Sequence, residues 1–335
     1  MVHRFLSLYP VSVDIFIKID INEYMFPRYS AVVGDSYKRK RVLQKVLFGA
    51  ILLILVSLFP AVYFKLKDHS FNERRELKES FNSAFFDSAY NKSREMLAKD
   101  PLDFSLLTIN GFSAYQLAIA QINSFNTLFY INECIWSLRK ALLLKEGSSD
   151  GRIFYVLGKA YYNKGPAYAD LAVKYLEKAR ASRYWSDDIP EYLGLAYAAI
   201  RDFRSSVAVF AEALASSQGP SDVLLLSIAR SYMALDENEQ ARAYLIQCLD
   251  ISRDSKTTAA ARLLNGNILM KSGDLSGAET EYLKMLEDIG DNAEAHYQLG
   301  ELYALAGDPT RARAEWRRAL RIDPAHGPSR NRLNI

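Results

Sequence analysis

The stretch Ala293–His326, AEAHYQLGELYALAGDPTRARAEWRRALRIDPAH, decides the fold. Along it, side-chain bulk varies at fixed offsets: Leu299 and Gly300 together, then Tyr303, Ala312, Trp316, Ala319 and finally Pro324. Two helices that cross at close range need a residue without bulk at the crossing and a large one beside it to fill the groove. Gly300, Ala312 and Ala319 supply the first kind, and Leu299, Tyr303 and Trp316 the second. Gly307-Asp308-Pro309 reads as the turn between the two helices, with Pro309 in a first-turn position where a missing N–H costs nothing. Pro324 stops the second helix, because it lacks an N–H and clashes with the preceding turn.

The same order of residue types recurs upstream. Ala259–Asn292 abuts the last unit and places Gly266, Leu269, Ala278 and Tyr282 in the matching slots. Asp222–Ser255 carries Ile228, Ala229, Tyr232, Ala241, Leu245 and Cys248, and Asp187–Pro220 carries Leu193, Gly194, Tyr197, Ser206, Phe210 and Ala213. Gly151–Ser186 offers Leu157, Gly158 and Tyr161, then Ala172, Leu176 and Ala179 after a turn lengthened at Gly165-Pro166. On these residues the chain resembles the tetratricopeptide repeat family, over about three quarters of its length.

That resemblance implies an all-α fold, a tetratricopeptide superhelix (an α-solenoid of helical hairpins) over residues 70–326. Its units fall at about 70–103, 104–150, 151–186, 187–220, 222–255, 259–292 and 293–326, and residues 327–335 are left as a C-terminal tail. The first unit is degenerate, with Ala89, Met96 and Pro101 in phase, as an end repeat without a neighbour is expected to be. The second exceeds the usual length by roughly a dozen residues, with Gly111 marking its first helix and Cys134, Leu138 and Ala141 its second. The excess lies around Gln121–Tyr130: either both helices are longer, or residues 123–127 form a loop presenting Phe125, Leu128 and Phe129. Gly147–Gly151 reads as a flexible joint.

Upstream of the repeats, Val46–Phe64 is uncharged and rich in Leu, Ile, Val and Phe, and it follows Lys38-Arg39-Lys40-Arg41 and Lys45. As a helix it would be about 28 Å long, close to the ~30 Å hydrocarbon core of a bilayer. A transmembrane helix is therefore expected over 42–64, uncleaved because Leu58–Tyr63 offers no small-x-small site. Lys and Arg counts tie on the two sides, but the leading cluster is contiguous with the span, which favours a cytoplasmic tail over 1–41. The expectation is a single-pass cell-membrane protein with its repeats outside the cytoplasm, periplasmic if the source is bacterial. Within the tail, Val11, Val13, Ile15, Ile17, Ile19 and Ile21 alternate as a half-buried strand would; alternatively translation begins at Met25.

Composition leaves few other function classes. The 335 residues carry a net charge of +3, so no bulk attraction to nucleic acid follows. Four scattered histidines make no metal-spaced pair, and no phosphate loop or nucleophile elbow is present. No catalytic residue, metal, cofactor or small-molecule substrate is expected, and the chain is not expected to be an enzyme. Asp187-Asp188 reads as helix-end stabilisation. Cys134 and Cys248, three units apart, read as small fillers of helix crossings.

What remains is a surface. In the family the first helix of each unit lines the concave face at set positions. Carried onto this sequence, those positions give Arg152, Tyr155, Lys159, Tyr162 and Asn163, then Asp188, Glu191 and Leu195, then Leu226, Arg230 and Met233. Asn267, Met270 and Lys271 follow, and Tyr297 and Glu301 close the series. The family's Lys/Asn clamp for C-terminal carboxylates is matched only out of register by Lys159, Asn163 and Asn267. The groove reading takes Arg152, Tyr155, Lys159, Tyr162, Asn163, Arg230, Asn267 and Lys271 as partner-binding, and Lys159 and Arg230 as its anchors for an acidic, apolar segment. Alternatively this is an ordinary solvated face. Arg311, Arg313, Arg317, Arg318 and Arg321 read as a solubilising cap on the last unit. The expected function is a membrane-anchored scaffold for protein or peptide partners; the alternative is a structural, non-catalytic subunit of an envelope-assembly or secretion complex.

Overall fold

Short polar caps and left-handed turn residues separate fifteen α-helices among the described residues of 71–333. The computed structural model describes residues 45–49, 71–121, 123–144, 149–216 and 219–335. Residues 45–49 are helical, and the chain divides into two units, Met1–Glu73 and Arg74–Ile335. The alternating stretch Val11–Ile21, the expected transmembrane helix apart from residues 45–49, and residues 147 and 148 of the glycine-serine joint lie outside the described residues. Among the described residues no helix is long and apolar enough to cross a membrane.

The helices are α1 (residues 71–82), α2 (Phe86–Lys99), α3 (Phe104–Ile119), α4 (Ser124–Ala141), α5 (Gly151–Lys164), α6 (Ala169–Ala181), α7 (Ile189–Ala199) and α8 (Phe203–Ser216). They continue with α9 (Asp222–Ala234), α10 (Asn238–Ile251), α11 (Ser255–Lys271), α12 (Leu275–Ile289), α13 (Ala293–Leu305), α14 (Pro309–Ile322) and α15 (Gly327–Leu333). Side-chain oxygens of Asp103, Asn123, Asp150, Ser221, Asp254, Asp274, Asn292 and Asp308 accept from backbone N–H groups of the first turns they precede. These N-caps satisfy donors that the helix itself leaves unpaired. Between paired helices the chain turns through a left-handed residue: Arg201 at φ 66°, Asp236 at 63°, Gly273 at 87° and Gly307 at 80°.

Consecutive helices pair as hairpins, and the crossings are where the sequence placed its small residues. A Cβ built on Gly111, Gly158, Gly194, Gly266 or Gly300 would lie 2.4–2.5 Å from Leu138, Leu176, Phe210, Tyr282 or Trp316 on the second helix of the same hairpin. In the fifth hairpin the fully buried Ala229 and Leu245 take these two roles. Leu157, Ala278, Ala312 and Ala319 are likewise buried at or beside the crossings, and Pro324 follows the end of α14. The repeat tyrosines tie neighbours together. Tyr197 Oη donates to Glu177 at 3.0 Å and Tyr303 Oη to Glu279 at 2.6 Å, both on the second helix of the preceding hairpin. Tyr161 stacks on Tyr175 and Tyr232 on Tyr244. Cys134 and Cys248 are free thiols at full burial.

First helices also touch one another along the stack, α3 to α5, α5 to α7, α7 to α9, α9 to α11 and α11 to α13. They therefore lie on the inner side of the curve of the Arg74–Ile335 unit. The extra length of the second hairpin resolves into helices: α4 starts at Ser124 on the Asn123 cap, so residues 123–127 are not a loop, although Phe125, Leu128 and Phe129 on its first turns are exposed.

The C-terminal tail expected over 327–335 is instead a helix. His326 caps α15 by accepting from Ser329 N, Ser329 is buried, and Leu333 packs on the cluster of Leu299, Leu302 and Trp316. Arg332 pairs with both carboxylate oxygens of Glu301 and lies 5.8 Å from the Trp316 ring centroid. Seven residues carry no repeat pattern, and only the uncovered apolar end of α13 and α14 gives them a reason to be helical.

Candidate partner-binding groove

On the inner face of α3, α5 and α7 one cluster stands out, built around Lys159. One side chain per turn of α5 brings Tyr155, Lys159 and Tyr162 to that face, since residues three and four apart are neighbours on a helix. Lys159 Nζ lies 2.6 Å from Asp188 Oδ2 and donates to Tyr155 Oη at 3.0 Å. Its ammonium lies 4.9 Å from the Tyr155 ring centroid, 4.4 Å from that of Tyr192 and 5.7 Å from that of Tyr115. Tyr155 Oη in turn donates to both oxygens of Asp188 at 2.8 Å, and Ser186 Oγ donates to Oδ1 at 2.6 Å. Tyr162 meets Tyr192 edge to face at 5.5 Å, and Asn163 Nδ2 reaches Tyr115 Oη at 3.3 Å.

The electrostatics follow from burial and these partners. Burial works against the charge on Asp188, but hydrogen bonds from Lys159, Ser186 and Tyr155 outweigh it and hold the carboxyl below its ordinary range. Burial likewise opposes the Lys159 ammonium, and the bonds to Asp188 and Tyr155 raise its pKa above the ordinary lysine value in spite of it. Both groups are charged and each neutralises the other. Glu191, one turn along α7 from Asp188, has no such partner: burial first, and then Asp188, push its carboxyl up, with Lys159 offsetting in part. Burial also raises the Tyr115 and Tyr162 hydroxyls, Tyr192 adding to both.

Of the residues the repeat register assigned to partner binding, the structure brings together Tyr155, Lys159, Tyr162 and Asn163. Arg152 is turned to its own helix cap, pairing with Asp150 at 2.7 Å. Asn267 accepts from Tyr282 Oη at 2.7 Å, within its own hairpin, and Lys271 pairs with Asp236 across the outer turns. Arg230 is exposed and shares no hydrogen bond or ion pair with the cluster among the described residues. Asp188 does not act as a helix cap, because its carboxylate is taken by Lys159, Tyr155 and Ser186. Asp187 accepts from Trp185 Nε1.

Tyr115, Ser186 and Tyr192 were not legible as site residues. Tyr115 occupies in the 104–150 unit the position Tyr162 holds in the next, so carrying the register through the long hairpin would have found it. Tyr192 and Ser186 lie off the family's groove positions, and no sequence signal marks them. At the other end of the series, Tyr297 and Glu301 lie under α15, with Tyr297 5.4 Å from the His326 ring. On α14, Arg313, Arg317 and Arg321 are exposed, Arg311 pairs with Asp308, and Arg318 holds Glu315 against the buried His296.

The crossings, the recurring turns and the inner first-helix face are those of one repeat family. Residues 293–326 match the tetratricopeptide repeat model, and residues 224–255 match a second tetratricopeptide repeat model. The chain is a tetratricopeptide repeat protein. No curated protein matches it in sequence. Among solved structures, this tetratricopeptide repeat protein is similar to the C-terminal part of a TPR repeat-containing protein from Cytophaga hutchinsonii, with TM-score 0.55 and 15% identity over 78% of this chain and 99% of that one. It is similar also to PilW, a type IV pilus biogenesis factor, with TM-score 0.54 and 18% identity over 67% of this chain and 98% of that one. Pseudomonas aeruginosa pilF gives TM-score 0.51 and 16% identity over 67% and 96%. At such identities the likeness speaks for the fold alone. That fold is generally a non-catalytic scaffold for protein interactions.

Proposed function

We propose that this tetratricopeptide repeat protein is a membrane-anchored scaffold that holds a segment of a protein partner along the inner face of α3, α5 and α7. The observation that carries the reading is the set of half-buried tyrosines Tyr155, Tyr162 and Tyr192 beside one ion pair, with the buried Tyr115 behind them. Tyrosines offer a partner large, rigid contact area with a polar tip, at a small cost in side-chain entropy. The anchor is the uncharged run Val46–Phe64, with residues 1–41 in the cytoplasm and the repeats outside it, in the periplasm if the source is bacterial. Membrane and groove divide the work: one fixes location, the other captures.

Three measurements test this. A photo-crosslinking residue at Leu195, beside the cluster, should trap a partner in cells, while the same residue at Arg317 or Arg321 on α14 should not. Crosslinks from α14 alone would place the interface on the outer arginine face and leave the groove idle. For the anchor, the protein should stay in the membrane fraction after alkaline wash, and a reporter active only outside the cytoplasm should work when fused after Ile335. Release into the soluble fraction would overturn the anchor, and a reporter active only in the cytoplasm would overturn the orientation.

A further inference from the structure

The groove reading leaves open what the captured segment carries, and the charges at the site bear on that. Lys159, the basic residue at its centre, is spent: its side chain is 13% exposed, ion-paired to Asp188 and surrounded by three tyrosine rings. An acidic partner group would have to displace Asp188, which Tyr155 and Ser186 also hold. Glu191 is the reverse case. It is half-buried on the same face of α7 and makes no hydrogen bond or ion pair among the described residues, and the charges of Asp188 and Lys159 act on it in opposite directions. Tyr162 lies close enough to feel the charge of Glu191, and Tyr192, the next residue on α7, stands against Tyr162. A half-buried carboxylate beside aromatic rings suits a planar cation that stacks as it pairs, which an arginine does better than a lysine. On α7 the positions equivalent to Lys159 and Tyr162 hold the half-buried Leu195 and Ala198, and on α9 the exposed Arg230 and the half-buried Met233, so beyond Lys159 the groove offers three apolar side chains beside one arginine.

Resting on the groove reading, we propose that the partner segment carries an arginine, whose guanidinium pairs with Glu191 and stacks on the Tyr162–Tyr192 pair, followed by apolar residues lying over Leu195, Ala198 and Met233. This reverses the expectation of an acidic ligand. Lys159 becomes part of the wall, keeping Asp188 from competing for the incoming cation and holding Tyr155 in place.

The test uses the full chain in detergent micelles and a synthetic library of short peptides. One central position is fixed in turn as Arg, Lys, Glu or Leu, with randomised flanks, and a photo-crosslinker at Leu195 reports whether bound peptide lies in the groove. The Arg-fixed set should bind best, with apolar residues enriched on one side of the arginine. Glu191→Gln, which keeps shape and removes charge, should weaken it about tenfold, the loss of one charge-assisted hydrogen bond. Because Glu191 makes no hydrogen bond or ion pair among the described residues, the variant should melt no lower than the native chain, which separates binding from folding. Groove-crosslinked peptides enriched in Glu, or binding unchanged in Glu191→Gln, would overturn the arginine assignment and leave the groove standing. Peptides that bind without crosslinking at Leu195, or no binding by any set, would overturn the groove reading and this inference with it.

Discussion

Gly300→Leu tests the hairpin crossing where the geometry is tightest. Even the first added carbon would sit 2.4 Å from Cδ1 and Nε1 of Trp316 and 3.1 Å from the backbone oxygen of Ala312. Non-bonded carbons rest about 3.5–4.0 Å apart, so α13 and α14 must part by roughly 1 Å or the indole must turn. Turning is obstructed, since Trp316 is 8% exposed and packed with Leu299, Leu302 and Tyr303. Overpacking of this kind costs ~1–3 kcal/mol, while replacing a helical glycine returns up to ~1 kcal/mol. Leucine brings three further carbons into the gap, so the net should be a destabilisation of about 1–3 kcal/mol, and Gly300→Ala should fall between it and the native chain. Gly327→Ala, at a site with nothing within 4 Å, is the control and should move stability by less than about 0.5 kcal/mol. Stability in a repeat stack is a sum of unit and nearest-neighbour terms, so hydrogen-exchange protection should drop in α13–α15 and hold in α3–α8. A Leu variant as stable as the native chain would refute the crossing argument, and protection lost evenly from Phe104 onward would refute the nearest-neighbour stack.

Other expectations follow from single contacts. Asp188→Asn leaves the Lys159 ammonium without its carboxylate and should cost ~1–3 kcal/mol by chemical denaturation. Because Asp188 is held low and Lys159 high, the pair's contribution is present above the ordinary carboxylate value of 3.8 and below the ordinary lysine value of 10.5. It is lost as pH falls through the folded-state value of the first or rises through that of the second, so the native-minus-variant difference should be flat between those limits. Glu191 has the opposite sign: its raised carboxyl favours the folded state only while protonated, so that contribution fades as pH rises. Glu191→Gln should therefore match or exceed native stability at pH 7, by no more than ~1 kcal/mol after screening, and the gap should close below the ordinary glutamate value of 4.5. Arg201, a non-glycine at φ 66° in the turn position that Gly273 and Gly307 fill elsewhere, should gain about 0.5–1 kcal/mol as Arg201→Gly in thermal melts; a loss there would mean its side chain matters.

The hairpins were legible because each demands the same local compromise, a notch opposite a large side chain, and the sequence repeats it at a near-constant period. The long second hairpin obscured the register, since Gly111 and Leu138 are 27 residues apart whereas Gly158 and Leu176 are 18, and the spacing alone did not say whether helix or loop filled the difference. Helix α15 was invisible for a different reason. Its residues carry no repeat pattern, and what makes them helical is a surface contributed by Leu299 and Trp316. In the groove, the register found the four residues of α5 but not what they touch. Which face a side chain lies on is a property of one helix, whereas the pairing of Lys159 with Asp188 depends on how α5 and α7 are set against each other.

Each glycine notch and the side chain that fills it belong to a single hairpin, and the fillers differ: leucine at 138 and 176, phenylalanine at 210, tyrosine at 282, tryptophan at 316. The hairpin is thus the smallest piece that recombination can move intact. A crossover placed after α8, α10 or α12 carries each notch along with its filler and disturbs only one neighbour interface. A crossover at a turn such as Gly307-Asp308 would separate them, and the α9 half, with alanine at 229, would receive an indole cut to fit a glycine. Chimeras of this chain should therefore tolerate exchange of whole hairpins and reject exchange of halves, so its modular boundaries lie between the units and not at the exposed turns within them.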